Sequence, residues 1–240
     1  MLFKALPRIS RQLHAVAGRV PSQCAVCHAW PAQRVCNACV ARFAQPAARC
    51  GRCALRVPAG VTVCGACLRN PPALDRCLAA VDYAYPWADA LAEFKFRGDP
   101  AWAGALATLM RSTPWVEPAI EAADIVVPVP LSAERLRERG FNQSALLAQR
   151  LAGAKVDTRT LLRLHATEVQ SALPRAQRLR NLRGACAVEP LRAAALRGQR
   201  VVLVDDVMTT GATLEAAAMP LRHAGVTHIT AVVLARTGLD

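Results

Sequence analysis

From Cys77 to the end of the chain, short runs of β-branched and other apolar residues alternate with longer stretches whose apolar positions recur at helical spacing. A period near 3.6 marks a helix with one buried stripe, and a short continuous apolar run marks a strand covered on both faces. On that basis "CLAAVDYAYP" (77–86) reads as a strand and "ADALAEFKFRG" (88–98) as a helix stopping at Gly98. "AWAGALATLMRS" (101–112) follows as a buried helix, and "ADIVVPVP" (123–130) as a short strand running into a proline-bracketed loop. "SAERLRERGFNQSALLAQRLAG" (132–153) is helical, with an interruption near Gly140. "GQRVVLVDDV" (198–207) is another buried strand, and "VTHITAVVLA" (226–235) follows as a fourth. Between them "TLEAAAMPLRHAG" (213–225) forms a helix, with a bend expected at Pro220 and Gly225 as its C′ residue. Strands alternating with helices predict an α/β domain over residues 75–240, a mostly parallel sheet with helices on both faces.

The first third has another texture. Residues 1–20 carry Lys4, Arg8 and Arg11 and no acid, and read as a lead-in with an amphipathic helix over about 10–16. Its apolar stretches are too short for a secretory signal, and no run in the chain approaches the ~18–20 residues of a membrane span. The expected location is the cytoplasm, where disulfides do not persist.

Residues 21–74 contain few large apolar side chains but eight of the ten cysteines, arranged as four C-x2-C pairs: Cys24/Cys27, Cys36/Cys39, Cys50/Cys53 and Cys64/Cys67. Two thiolates on a tight turn converge on one tetrahedral cation, and two such pairs complete a four-cysteine zinc site. Eight ligands suit two structural zincs, with the pairing order open, and metal supplies much of the folding energy of a segment with so small a core. "CAVCH" (24–28) also fits a haem-attachment pattern, but the repetition of C-x2-C commits these thiols to metal and leaves His28 as a surface residue or spare ligand. Cys77 and Cys186 stand apart as small core residues.

Charge sharpens the division. The formal net charge is +13, and residues 1–74 contribute +10 of it, having ten Lys and Arg and no Asp or Glu. Two tetrathiolate zincs, at a formal −2 each, would reduce that to about +6. A one-sided basic field is the electrostatic footprint of a polyanion partner, with Arg34, Arg42, Arg49 and Arg52 as candidate contacts. Solubilising arginines with no partner are the alternative. Aromatic stacking platforms are scarce, since Trp30 and Phe43 are the only aromatics between the paired cysteines.

The strand ending "VVLVDDVMTTGATL" (201–214) carries the chemistry. Parallel α/β sheets bind ligands beyond the carboxyl ends of their strands, which is where Asp205 and Asp206 emerge. There carboxylates can accept hydrogen bonds from sugar hydroxyls or hold hydrated magnesium. Thr209, Thr210, Gly211, Ala212 and Thr213 wrap the N-terminus of the next helix, where free N–H groups, hydroxyls and the helix dipole make a monophosphate site. A sugar phosphate would be gripped at both ends.

This stretch resembles the phosphoribosyl pyrophosphate (PRPP) motif of type I phosphoribosyltransferases. With "KFRGD", "VPVPLSAERLRERGFNQSALLA" and "TEVQSALPRAQRLRNLRGA" behind a cysteine-rich head, the chain from Cys24 onward resembles the ComF family, which includes ComFC competence proteins and GntX-type DNA-utilisation proteins. It departs from the family pattern at Cys186, where an aromatic is usual, and at Glu168-Val169, positions expected to lie away from the site. The resemblance implies a double zinc ribbon over 21–74 and PRPP with magnesium in the pocket. It makes Pro128, Val129 and Pro130 the pyrophosphate loop, and Arg163, Gln170, Arg175, Arg178 and Asn181 part of a mobile loop closing over the ligand. Lys95, Arg139, Asn142 and Gln143 are further family-pattern residues. The function implied is DNA uptake or DNA utilisation, alongside competence machinery. A phosphoribosyltransferase of nucleotide salvage and a non-catalytic PRPP sensor share the fold and stay open, because fold does not fix function.

Overall fold

The computed structural model describes residues 22–164 and 184–238. The expected lead-in helix over 10–16, and Gln170, Arg175, Arg178 and Asn181, lie outside the described residues. Six strands occur among the described residues: β1 (Arg76–Asp82), β2 (Ile125–Pro128), β3 (Leu161–Arg163), β4 (Cys186–Val188), β5 (Arg200–Met208) and β6 (His228–Arg236). Four of them pair in parallel in the order β1-β6-β5-β2, and β3 pairs with β4 in a separate antiparallel ladder.

The central strands β5 and β6 are buried on both faces, as their unbroken apolar runs require, whereas the edge strand β1 alternates buried and half-buried residues. Val201 and Leu203 of β5 join one core with Leu214, Ala217 and Leu221 of the helix Ala212–His223. Alternate residues of a strand face opposite sides, so Val202 and Val204 point to the other face. Helices Gln143–Ala152 and Trp102–Arg111 pack against the sheet there, adjacent to each other. Pro220 lies inside the helix Ala212–His223, and Gly225 follows its C-cap at φ 90°, a conformation that favours glycine. The long helical stretch divides where expected: Ala133–Arg139 ends on Gly140 at φ 75°, and Asn142 caps a new helix through the amide of Ala145.

A short helix and the β3–β4 ladder were not expected. Helix Val116–Glu121 contains Pro118 and is too short for its period to register. β3 and β4 are three residues each, and their pattern is hidden in an arginine-rich stretch.

The chain forms two compact units, residues 1–42 and 43–240. The division falls inside the segment read from sequence as one cysteine-rich domain. Its cause is packing: Ala54 is fully buried in the sheet's core beside Leu74 and Cys77, and Cys53 packs against that core. The amide of Cys77 donates to the carbonyl of Gly51 at 2.8 Å, so the second half of the cysteine-rich segment is continuous with β1. No helix among the described residues is long and apolar enough to cross a membrane.

Candidate functional site

β2 ends at Pro128 opposite Val204, whereas β5 continues beside β6 to Met208, which pairs with Arg236. Asp205 and Asp206 therefore lie just beyond the end of the neighbouring strand β2 while still paired to β6, near the carboxyl edge of the sheet. Both are buried, at 9% and 8% exposure. Asp205 Oδ1 accepts hydrogen bonds from Ser144 Oγ and the Asp206 amide, each at 2.9 Å. Lys95 Nζ, from the end of helix Trp87–Phe96, lies 2.8 Å from Asp206 Oδ1. Burial first, then the negative charge of Asp206, push the Asp205 carboxyl up to about 7 against the opposing pull of Lys95 and Ser144.

After β5 the chain turns at Gly211, φ 84°, into the helix Ala212–His223. A Cβ at Gly211 would sit 2.6 Å from Met208 Cε, the flexible end of a side chain that can shift, so it is the backbone angle that favours glycine. Thr209 is exposed, Thr210 and Thr213 are half-buried, and the Ala212 amide donates to Thr210 Oγ1 at 3.4 Å. The free N–H groups of the helix's first turn give this loop the character of an anion cradle.

Val129 is tied from both sides. Its amide donates to the Val204 carbonyl at 2.9 Å, and its carbonyl accepts from Asn142 Nδ2 at 3.0 Å. The loop Pro128–Pro130 is thereby held against β5, immediately before the acid pair. Arg139 Nη1 donates to Gln143 Oε1 at 3.2 Å, and its guanidinium stacks on the Phe96 ring at 5.1 Å. Gln143 is 1% exposed, and its Nε2 has no protein partner. Arg135 is held below the usual arginine range by burial and then by the charges of Arg139 and Arg163, partly offset by Glu138 and Asp206. Three guanidiniums therefore raise a positive potential near the acid pair, which suits a polyphosphate.

Sequence reasoning missed Ser144, Arg135 and Arg236. Ser144 and Arg135 belong to the quoted helical stretch but look like an ordinary buried small residue and a surface charge. Cys186 corrects another expectation: it does not lie away from this region. Arg163 Nη1 donates to its Sγ at 3.8 Å, and its thiol is pushed up by burial while the charge of Asp205 adds to the effect.

The eight paired cysteines assemble as two tetrads, Cys24/Cys27/Cys36/Cys39 and Cys50/Cys53/Cys64/Cys67, whose sulfur atoms lie within 4.8 Å of one another. The order left open by the sequence is sequential: adjacent C-x2-C pairs share a site. Sulfur separations of 3.9 Å (Cys24–Cys39), 3.6 Å (Cys27–Cys36) and 3.7 Å (Cys53–Cys64) match the edge of about 3.8 Å of a tetrahedron with Zn–S bonds near 2.3 Å. Amide groups already favour thiolates: Cys36 N–H donates to Cys24 Sγ at 3.3 Å and Cys64 N–H to Cys50 Sγ at 3.2 Å. Against the cost of burial, such amides pull Cys24 down to about 6 and Cys50 to about 7. Both tetrads could hold zinc. His28 is exposed and belongs to neither.

Of the four arginines read as polyanion contacts, Arg49 has another task. It pairs with Asp82 at 2.8 Å and donates to the Ala54 carbonyl, tying the second tetrad's turn to β1.

A parallel sheet with paired acids and a phosphate-type loop at its carboxyl edge defines a phosphoribosyltransferase-like domain, and the phosphoribosyl transferase domain family matches residues 138–238. Across nearly its whole length the chain is similar to DNA utilization protein YhgH of Salmonella typhimurium, 34% identical over 91% of this chain and 98% of that protein. Competence protein F of Haemophilus influenzae is 31% identical over 78% of this chain and 84% of its own. Competence protein ComFC of Bacillus subtilis is 37% identical over 57% and 54%. The chain belongs to the ComF family of DNA-utilisation and competence proteins.

Proposed function

We propose that this protein serves DNA uptake or utilisation in the cytoplasm, that its α/β pocket binds PRPP with magnesium, and that both tetrads carry zinc. The observation that carries the PRPP reading is the buried pair Asp205 and Asp206 at the carboxyl end of β5, one loop before Gly211 and the helix N-terminus. In this reading the carboxylates accept hydrogen bonds from the ribose hydroxyls, and Thr209–Thr213 hold the 5′-phosphate. Pro128–Pro130 and the cations of Arg135, Arg139 and Arg163 face the pyrophosphate, where charge develops as it departs. Magnesium, when bound, would add to that stabilisation. Lys95 neutralises Asp206 in the ligand-free pocket and is placed to turn toward a phosphate once ligand arrives.

Transfer of the phosphoribosyl group to an acceptor is the enzymatic form of this reading, and PRPP sensing is its non-catalytic form. The basic residues of the cysteine-rich segment are the candidate surface for single-stranded DNA. A calorimetric titration of PRPP with and without magnesium tests the pocket. Asp205→Asn combined with Asp206→Asn should abolish binding, because charged hydrogen bonds contribute about 1.5–3 kcal/mol each. Unchanged affinity would reject the pocket assignment.

A further inference from the structure

Arg236, the last residue of β6, is 4% exposed and joins two sites. Its Nε donates to the carbonyl of Cys53 at 2.9 Å, inside the second tetrad. Its Nη1 donates to the carbonyl of Met208 at 3.1 Å, to that of Thr209, and to that of Thr237 at 2.6 Å. One guanidinium thus touches both a candidate metal ligand and the first residue of the candidate phosphate loop.

The geometry points to Arg236 as a positioning residue that couples metal in the second tetrad to phosphate-ligand binding in the α/β pocket. The inference rests on the PRPP reading above. Two physical arguments support it. In a trans peptide unit the C=O and N–H point in opposite directions. With the Met208 and Thr209 carbonyls drawn to Arg236, the N–H groups of Thr209 and Thr210 are turned away from it and cannot rotate freely. A loop held in this way keeps its donors oriented before ligand arrives. The second argument is charge. Among the described residues, the hydrogen bonds of Arg236 go to carbonyl oxygens and the Thr237 hydroxyl, with no carboxylate among them. A buried cation needs a countercharge, and zinc with four thiolates carries a formal −2. An occupied second tetrad therefore stabilises the guanidinium, and the guanidinium fixes the loop.

Coupling of two sites is reciprocal, so PRPP must raise the zinc affinity of the second tetrad by the factor by which zinc raises PRPP affinity. The test uses the full chain carrying Cys24→Ser and Cys27→Ser, so that only the second tetrad titrates in zinc-buffered solution. Saturating PRPP with magnesium should tighten zinc about fivefold, the lower end of ordinary allosteric coupling. Arg236→Lys keeps the charge but not the fork, and should reduce that factor to near one while zinc and PRPP each still bind. PRPP that binds without altering zinc affinity overturns the coupling and leaves the pocket assignment intact, as does full coupling in Arg236→Lys. Failure of the otherwise unaltered chain to bind PRPP at all overturns the pocket assignment, and this inference with it. If Arg236→Lys does not fold, the coupling measured in the arginine-bearing chain decides the matter.

Discussion

Asp205 is built at a cost to stability, and replacing it should expose that cost. The carboxyl stands at about 7 in the folded chain against an ordinary 3.8, chiefly through burial and then through the charge of Asp206. A folded-state value raised for an acid means that the native protein holds a proton which the unfolded chain releases. The penalty is therefore absent below about pH 4, grows as pH rises, and is complete above about 7. A shift of about three units corresponds to roughly 4 kcal/mol as a ceiling. Relaxation and water penetration around the charge bring the expected gain to about 2 kcal/mol. Asp205→Asn removes the charge and keeps an Oδ1 that can accept from Ser144 and the Asp206 amide. Ligand-free Asp205→Asn should therefore melt about 4–8 °C above the parent protein at pH 8, with the difference shrinking toward zero as pH falls to about 4. Thermal unfolding followed by fluorescence of the buried Trp87 and Trp102, each 2% exposed, reads the α/β unit directly. A variant less stable at pH 8, or a gain independent of pH, would refute the account of a strained carboxylate.

The same carboxyl gives a sign for ligand binding. If Asp205 must be ionised to receive a ribose, PRPP affinity should rise between pH 6 and 8, and flat affinity across that window in calorimetry would contradict the role. Metal analysis of protein purified without chelator should find two zinc equivalents, and Cys24→Ser should lower this by one without disturbing the β-sheet; well under one equivalent in the parent protein would reject both metal centres. For DNA, Arg34→Ala, Arg42→Ala and Arg52→Ala together should weaken single-stranded DNA binding. They should also flatten its dependence on salt by roughly 0.7 per lost phosphate contact, with PRPP binding unchanged. Arg49 is left in place because its removal would break the ion pair with Asp82. Salt-independent DNA binding, or binding indifferent to the three substitutions, would exclude the cysteine-rich segment as the DNA surface.

The parallel sheet was legible because its central strands are buried on both sides. Val201–Val204 and Ile229–Leu234 are continuous apolar or β-prone runs, and no amphipathic pattern competes with them. Gly140 and Gly225 were legible for a different reason: a helix end with positive φ strongly favours glycine, and both glycines take that conformation. The β3–β4 ladder was not legible. Its six residues gain their conformation from pairing Leu161 with Val188 and Arg163 with Cys186, contacts far apart in the chain that local pattern does not encode. The limits of the cysteine-rich segment were blurred likewise. The spacing of eight thiols is visible in sequence, but the burial of Ala54 against Leu74 and Cys77 depends on the tertiary fold.

The site divides along the same line. Asp205, Asp206 and Gly211 announce themselves because each violates the local rule of its element: two acids at the end of a buried strand, and a glycine at the start of a helix. Residues that serve the site without violating a rule are silent. Ser144 is a small residue on the buried face of a helix, and only the fold shows that its hydroxyl reaches Asp205. Arg236 ends an apolar strand and resembles a solvent-facing terminator, yet it is buried and donates to carbonyls from both sides of the chain. Lys95 was legible as part of "KFRGD" but not in its role, because its partner lies more than a hundred residues away on β5. Side chains assigned to the candidate pocket are thus written locally, whereas those that hold them in place are fixed by the topology that brings β5, β6 and the helix Gln143–Ala152 together.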